Sequence, residues 1–165
     1  MKNIFKIALF SLMAVCLVGL VGCGKKEEEK KEEPVTQMPN PLVEVKSVEE
    51  MEEALGFTIP LLSGEVDKYI IINNEKGEAY HGRVIYKDGY EFEMEKSTED
   101  VSGIEGGTKK DTLKIEKVKV NLNQMEDITY ATWTYKDYSY SLSKKDVKRD
   151  ALAKQVKVLI KAIKK

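Results

Sequence analysis

The side chains able to do chemistry are few and widely spaced. His81 is the single histidine, so a multi-histidine metal site is excluded. A lone histidine in a strand pattern has no partner set that would define a site, and is expected at a surface or an edge. Glu91, Glu93 and Glu95 alternate with Tyr90, Phe92 and Met94. In a strand this alternation puts three carboxylates on one face, where they could bind a hard cation if loops supplied further oxygen ligands. The simpler expectation is a row pointing into water. Asp100-Val101-Ser102-Gly103-Ile104-Glu105-Gly106-Gly107-Thr108 contains neither a Gly-Lys-Ser/Thr closure nor a G-x-G-x-x-G, so it is no phosphate-binding loop. Its glycines suit a turn at a sheet corner.

Two cysteines complete the inventory, Cys16 and Cys23. Cys23 closes Leu20-Val21-Gly22-Cys23 after a basic start, Lys2 and Lys6, and an uncharged run of sixteen residues, 7–22. That run is shorter than the roughly 20 residues of a membrane-spanning helix and close to the length of a signal-peptide core. Small Gly22 precedes the cysteine, and Gly24-Lys25-Lys26 ends the apolar stretch at once. The segment resembles a bacterial lipoprotein signal peptide with its lipobox. The resemblance implies cleavage after Leu20-Val21-Gly22, transfer of a diacylglyceryl group to the Cys23 thiol, further acylation of the palmitate type, and no other cofactor. An uncleaved anchor helix and an ordinary signal peptide are the alternatives, and all three put the remaining chain outside the cytoplasm. With Cys16 discarded and Cys23 consumed as a thioether, neither a disulfide nor a thiol nucleophile is left. Nothing here spells out an enzyme, and none is expected; no metal is expected either.

Residues 23–40 form a second region. The run 25–33, all Lys and Glu, has no apolar side chain with which to offset the cost of ordering. Pro34, Pro39 and Pro41 keep the following stretch extended. The region reads as a tether spanning about 20–25 Å as flexible coil and up to about 50 Å when extended. Removal of residues 1–22 takes Lys2 and Lys6 and no acid, moving the formal charge from −1 to −3. Such a balance does not favour nucleic acid.

Residues 41–165 are long enough for one domain of ordinary size. Ser47-Val48-Glu49-Glu50 fits a capping box and Gly56 a left-handed helix end, while Val48, Met51 and Leu55 make a narrow apolar stripe. A short N-terminal helix is predicted there. Strand-forming runs follow at 69–72, Ala79–Tyr86 and 90–95, with Asp88-Gly89 as a two-residue hairpin signal. Beyond the glycine-rich stretch, Leu113 and Ile115 lead to Val118, Val120 and Leu122, with a slip in phase at Lys117 that fits a bulge or a turn. Ile128–Tyr135 and 138–142 make the last pair. From Ser143-Lys144-Lys145-Asp146, a second capping box, a C-terminal helix of about five turns is expected, with Val147, Leu152, Val156, Leu159, Ile160 and Ile163 on one face and lysines on the other. The lysine face suggests an anionic membrane surface, but the sheet needs a cover, and core packing is the simpler role.

Ile85-Tyr86-Lys87-Asp88-Gly89, Asp100-Val101-Ser102-Gly103, Ala131-Thr132-Trp133 and Tyr138-Ser139-Tyr140-Ser141-Leu142 resemble a domain of unknown function found in exported Gram-positive proteins. Where relatives often carry arginine before the Asp-Ser-Gly turn, this chain has Met94-Glu95-Lys96. The resemblance implies an extracytoplasmic domain on the cell membrane of a Gram-positive cell, with no established activity.

The expected fold is α+β: one antiparallel, curved sheet of about six strands packed against a long C-terminal helix. Such a sheet is similar to the half-barrel of periplasmic lipoprotein carriers and sensors. Two functions follow. One is a non-enzymatic interaction or sensory module that meets an unknown protein through exposed aromatics, for which Tyr80, Tyr86, Trp133, Tyr135 and Tyr138 are the candidates. The other is a carrier that encloses a lipid or other hydrophobic ligand between sheet and helix. A filled core speaks for the first and an apolar cavity for the second.

Overall fold

The computed structural model describes residues 41–165. The chain runs β1 (Leu42–Val45), α1 (Val48–Leu55), β2 (Val66–Asn73), β3 (Ala79–Tyr86), β4 (Glu91–Glu95), β5 (Thr108–Ile115), β6 (Val118–Met125), β7 (Ile128–Tyr135), β8 (Tyr138–Lys145) and α2 (Arg149–Ile163). All eight strands join one antiparallel sheet in the order β1-β2-β3-β4-β8-β7-β6-β5. The expected α+β class holds, with eight strands in place of six. β1 is a four-residue edge strand whose only partner is β2, Leu42 facing Ile72 and Val45 facing Tyr69. Nothing local marks so short an element. The phase slip at Lys117 is a turn between two full strands, with Glu116 at φ 51° and Lys117 at φ 72°. Positive φ at both central residues is what a hairpin with right-twisted strands requires.

The first helix is capped as its sequence predicts. Ser47 Oγ accepts the Glu50 N–H at 3.4 Å, Glu50 reaches back to the Lys46 N–H at 2.9 Å, and Gly56 closes the end at φ 75°. The second helix departs from expectation. Ser143 is not its cap: it lies within β8, facing Glu91 on one side and Tyr130 on the other. Pairing on both edges satisfies the backbone groups that a cap would leave half engaged. Asp146 then turns the chain at φ 53°, its N–H donating to the Asp127 carbonyl at 2.8 Å. The helix starts at Arg149, with Lys148 as an N-cap that makes no side-chain bond, and has 15 residues. It is therefore short, about 22 Å.

One face of the sheet packs under the helices. Val84, Phe92, Met94, Val120, Leu122, Ala131 and Leu142 meet Leu152, Val156, Leu159 and Ile160 from α2 and Met51 from α1 in one apolar cluster. These side chains have essentially no exposure, and Phe92, Trp133 and Tyr140 stack at 5.6–6.2 Å between ring centroids. The layer between α2 and the sheet is filled with side chains.

The other face is crossed by the chain itself. β4 lies beside β8 while β5 is the far edge, so the connection 96–107 must traverse β8, β7 and β6. Four strand spacings are about 19 Å, which twelve residues span with ease. The Ser97 carbonyl accepts the Ser139 hydroxyl at 2.9 Å, and a Cβ on Gly107 would run into the Tyr130 phenol. Within this strap Val101 and Ser102 are buried, and its bend is made by the Ser102 N–H on Asp100 Oδ1 at 2.9 Å and by Gly103 at φ 61°. The stretch 100–108 is thus a strap over the sheet, and the expectation of a turn at a sheet corner is corrected.

Candidate functional site

β7 and β8 extend beyond the end of α2. Their two-residue turn, Lys136 at φ 55° and Asp137, holds Tyr135 and Tyr138 as direct register partners. Both belong to the apolar face, in line with Trp133 and Tyr140. Because α2 stops at Ile163, these two rings are left half-buried. The segment after α1 supplies the second wall. Gly56 turns the chain out of the helix, the Ile59 N–H donates to Glu52 Oε1 at 2.7 Å, and Phe57 comes to rest 4.8 Å from the Tyr138 ring, tilted by 56°. Between Phe57, Pro60, Tyr135, Tyr138, Tyr140 and Ile163 lies a cleft of 340 Å³.

The polar side chains of this cleft are hydroxyls and ammonium groups, Thr58 and the tyrosines with Lys136 and Lys165. Burial pushes the Tyr140 phenol up to about 12, with Tyr138 and Tyr135 adding to the rise, so it remains a hydroxyl donor. The Lys136 ammonium lies 5.6 Å from the centroid of the Tyr135 ring. Lys165 stands on the same rim, and among the described residues no acidic side chain lines the cleft.

A second cluster occupies the opposite face, under and beside the strap. Arg83 Nε lies 2.7 Å from Glu93 Oε1 as an ion pair, His81 Nδ1 lies 3.3 Å from Glu95 Oε2, and His81 Nε2 is 4.0 Å from Glu93 Oε2; neither Arg83 Nε nor His81 Nε2 has the geometry of a hydrogen bond. Burial is the main cause that raises Glu93 to about 7, against the pull of Arg83; Glu91 and Asp100 add to the rise. Burial also lowers His81, and its bond to Glu95 opposes that. Two expectations are corrected here. The glutamate row is not solvated, since Glu93 is 6 % exposed and Glu91 and Glu95 are half-buried. His81 is not a surface residue, being 7 % exposed. Strand alternation separated the two faces correctly but could not show that a strap covers the polar one.

The cluster is a chain of paired groups running from Arg83 through Glu93 to His81 and Glu95. Nδ1 and Nε2 of His81 face different carboxylates, so the three groups do not converge on one point, and no group able to hold a metal ion is found among the described residues. The buried Ser139 hydroxyl is committed to the strap carbonyl of Ser97 rather than to the imidazole.

The five aromatics expected to form an interaction surface separate. Tyr135 and Tyr138 come together in the cleft. Tyr80 is exposed, 42 %, its ring centroid 6.2 Å from that of His81. Tyr86 and Trp133 are corrected to core residues, 2 % and 3 % exposed, the Tyr86 phenol accepting the Leu62 N–H at 2.9 Å. Sequence reasoning missed Phe57, Pro60, Lys136 and Ile163. Only Phe57 had a local signal, a large ring placed directly after a helix-ending glycine. Leu20, Val21, Gly22 and Cys23 lie outside the described residues. Among the described residues no helix is long and apolar enough to cross a membrane.

No family model, no curated protein and no solved structure matches this chain.

Proposed function

We propose that this chain is an extracytoplasmic lipoprotein of a Gram-positive cell membrane, held through a diacylglyceryl group on Cys23, whose domain is a non-enzymatic interaction module. The carrying observation is the open aromatic cleft at the end of α2, beside a core that is packed throughout. A cleft of this size, apolar with a few polar groups at its rim, suits the apolar group of a partner or a small ligand. The carrier reading loses its expected place, since side chains fill the layer between α2 and the sheet; a hydrophobic ligand would have to use the end cleft instead. Curvature of the sheet around α2, as in half-barrel carriers and sensors, belongs to the same proposal. The tether at 23–40 lets the cleft reach away from the membrane.

Two measurements test the two halves of this reading. Radiolabelled palmitate should mark the chain in its host, and Cys23→Ser should lose the label and leave the membrane fraction; a variant that stays fully with the membrane sinks the anchor. Trp133 is the chain's only tryptophan and stacks on Tyr140, a cleft residue, at 5.6 Å. Its fluorescence should respond saturably to 4-phenylbutanol, and the response should vanish in Tyr138→Ala. Identical traces from both chains would mean that the cleft binds nothing.

A further inference from the structure

We propose that the end cleft selects small amphiphilic anions, an apolar or aromatic body bearing one carboxylate or phosphate. The proposal rests on the cleft reading and names its ligand class. The apolar body is dictated by Phe57, Pro60 and Ile163, and by the faces of Tyr135 and Tyr138. The volume of 340 Å³ is at the lower end for small-molecule sites, so the body has to be small.

The sign of the charge follows from what lines the rim. Lys136 and Lys165 are its charged side chains, and neither takes part in a carboxylate ion pair among the described residues. The ring of Tyr135 lies under the Lys136 ammonium and holds it at the cleft. By contrast Glu116, the acid facing the outer side of α2, is already engaged by Lys161 at 3.9 Å, while its carbonyl takes Lys164 at 2.8 Å. Tyr140, kept protonated by burial, adds a hydroxyl donor near the floor. Four aromatic rings by themselves would also suit an organic cation, through the negative faces of the rings. Two ammonium groups on the rim oppose that choice, because like charges across a partly desolvated cleft repel.

The test compares three isosteric probes on the full chain in phosphatidylcholine nanodiscs, read through Trp133: 4-phenylbutyrate, 4-phenylbutanol and 4-phenylbutylamine. The butyrate is expected to bind about threefold to tenfold tighter than the alcohol, the range of one or two exposed ion pairs. About 0.5 M salt should shrink that gap. Lys136→Asn with Lys165→Gln should close it, acid and alcohol then binding alike; asparagine tolerates the left-handed backbone at position 136. Equal binding of acid and alcohol, or tightest binding of the amine, overturns the anion selectivity and leaves the cleft reading standing. No saturable response to any probe, with Tyr138→Ala indistinguishable from the parent chain, sinks both.

Discussion

Two faces of one sheet are buried here in opposite ways. Under α2, Phe92, Leu122 and Leu142 meet Leu152, Val156 and Leu159, and the stabilisation scales with apolar area removed from water. On the face that the strap crosses, Glu93, Ser139, Ser141, Thr132 and Asn123 are also buried. Burial of such groups is costly unless each finds a partner, so that face is held by pairing: Arg83 on Glu93, Glu95 on His81, Ser139 on Ser97. The same geometric alternation along β4 supplies both, Phe92 and Met94 to one side and Glu91, Glu93 and Glu95 to the other. The lesson is that coverage, and not hydrophobicity, decided which face became dry. A covered polar face stays sensitive to pH, whereas the apolar one does not.

The comparison can be broken most forcefully on the apolar side. Phe92→Ala removes one fully buried ring of the aromatic stack and should cost about 3–5 kcal/mol in urea unfolding, at every pH alike. A loss below about 1 kcal/mol would mean that the stack is loosely packed.

The polar side should respond to pH instead. Glu93 has its proton held up to about 7 in the fold against 4.5 in the unfolded chain, so its contribution is full below pH 4.5 and is lost as pH rises through 7. That loss is on the order of 3 kcal/mol at most. Glutamine mimics the protonated form, and Glu93→Gln should abolish this decline. His81 has the opposite sign: its pKa is lowered from 6.5, so its contribution is full above pH 6.5 and falls away as pH drops through the depressed value. In Glu93→Gln the acid-side loss from His81 therefore stands alone, and His81→Gln should leave only the decline towards neutrality. Parallel stability profiles for the parent chain and Glu93→Gln between pH 4.5 and 7 would remove the buried carboxylate from this account.

The smallest effect sharpens the role of the strap. Ser139→Ala deletes its hydrogen bond to Ser97 and leaves that carbonyl to water or to nothing, a cost of about 1 kcal/mol. Amide exchange should quicken across 96–107 while the amides of α2 keep their protection. Equal acceleration in both would show that the strap is no separate element.

Much of this architecture was legible in local sequence. Ser47, Glu50 and Gly56 carry all that α1 needs at its ends, and Asp88-Gly89 together with the alternation in 90–95 marks a hairpin whose faces are correctly assigned. Local signals failed where long-range pairing competed with them. Ser143-x-x-Asp146 has the form of a cap, yet double-sided pairing of β8 holds it in the sheet and delays α2 to Arg149. The cleft lies at the other end of this helix, where Ile163 stands beside Tyr135 and Tyr138. Phe57 and Ile163, 106 positions apart in the chain, meet across the cleft only in three dimensions.

By itself the sequence determined the α+β class, the antiparallel alternation, the cap and stop of α1, and the motif around Cys23 on which the proposed anchor rests. These are properties of neighbouring residues, set by backbone preference and side-chain period. Tertiary structure alone decided that the 96–107 stretch crosses a face instead of turning a corner, that Glu93 and His81 are buried, and that three tyrosines and Phe57 enclose a cleft. Each depends on which strand became whose neighbour. With β8 inserted between β4 and β7, the chain had to cross the sheet to reach β5, and that crossing engages Ser139 and approaches Tyr130 on the polar face.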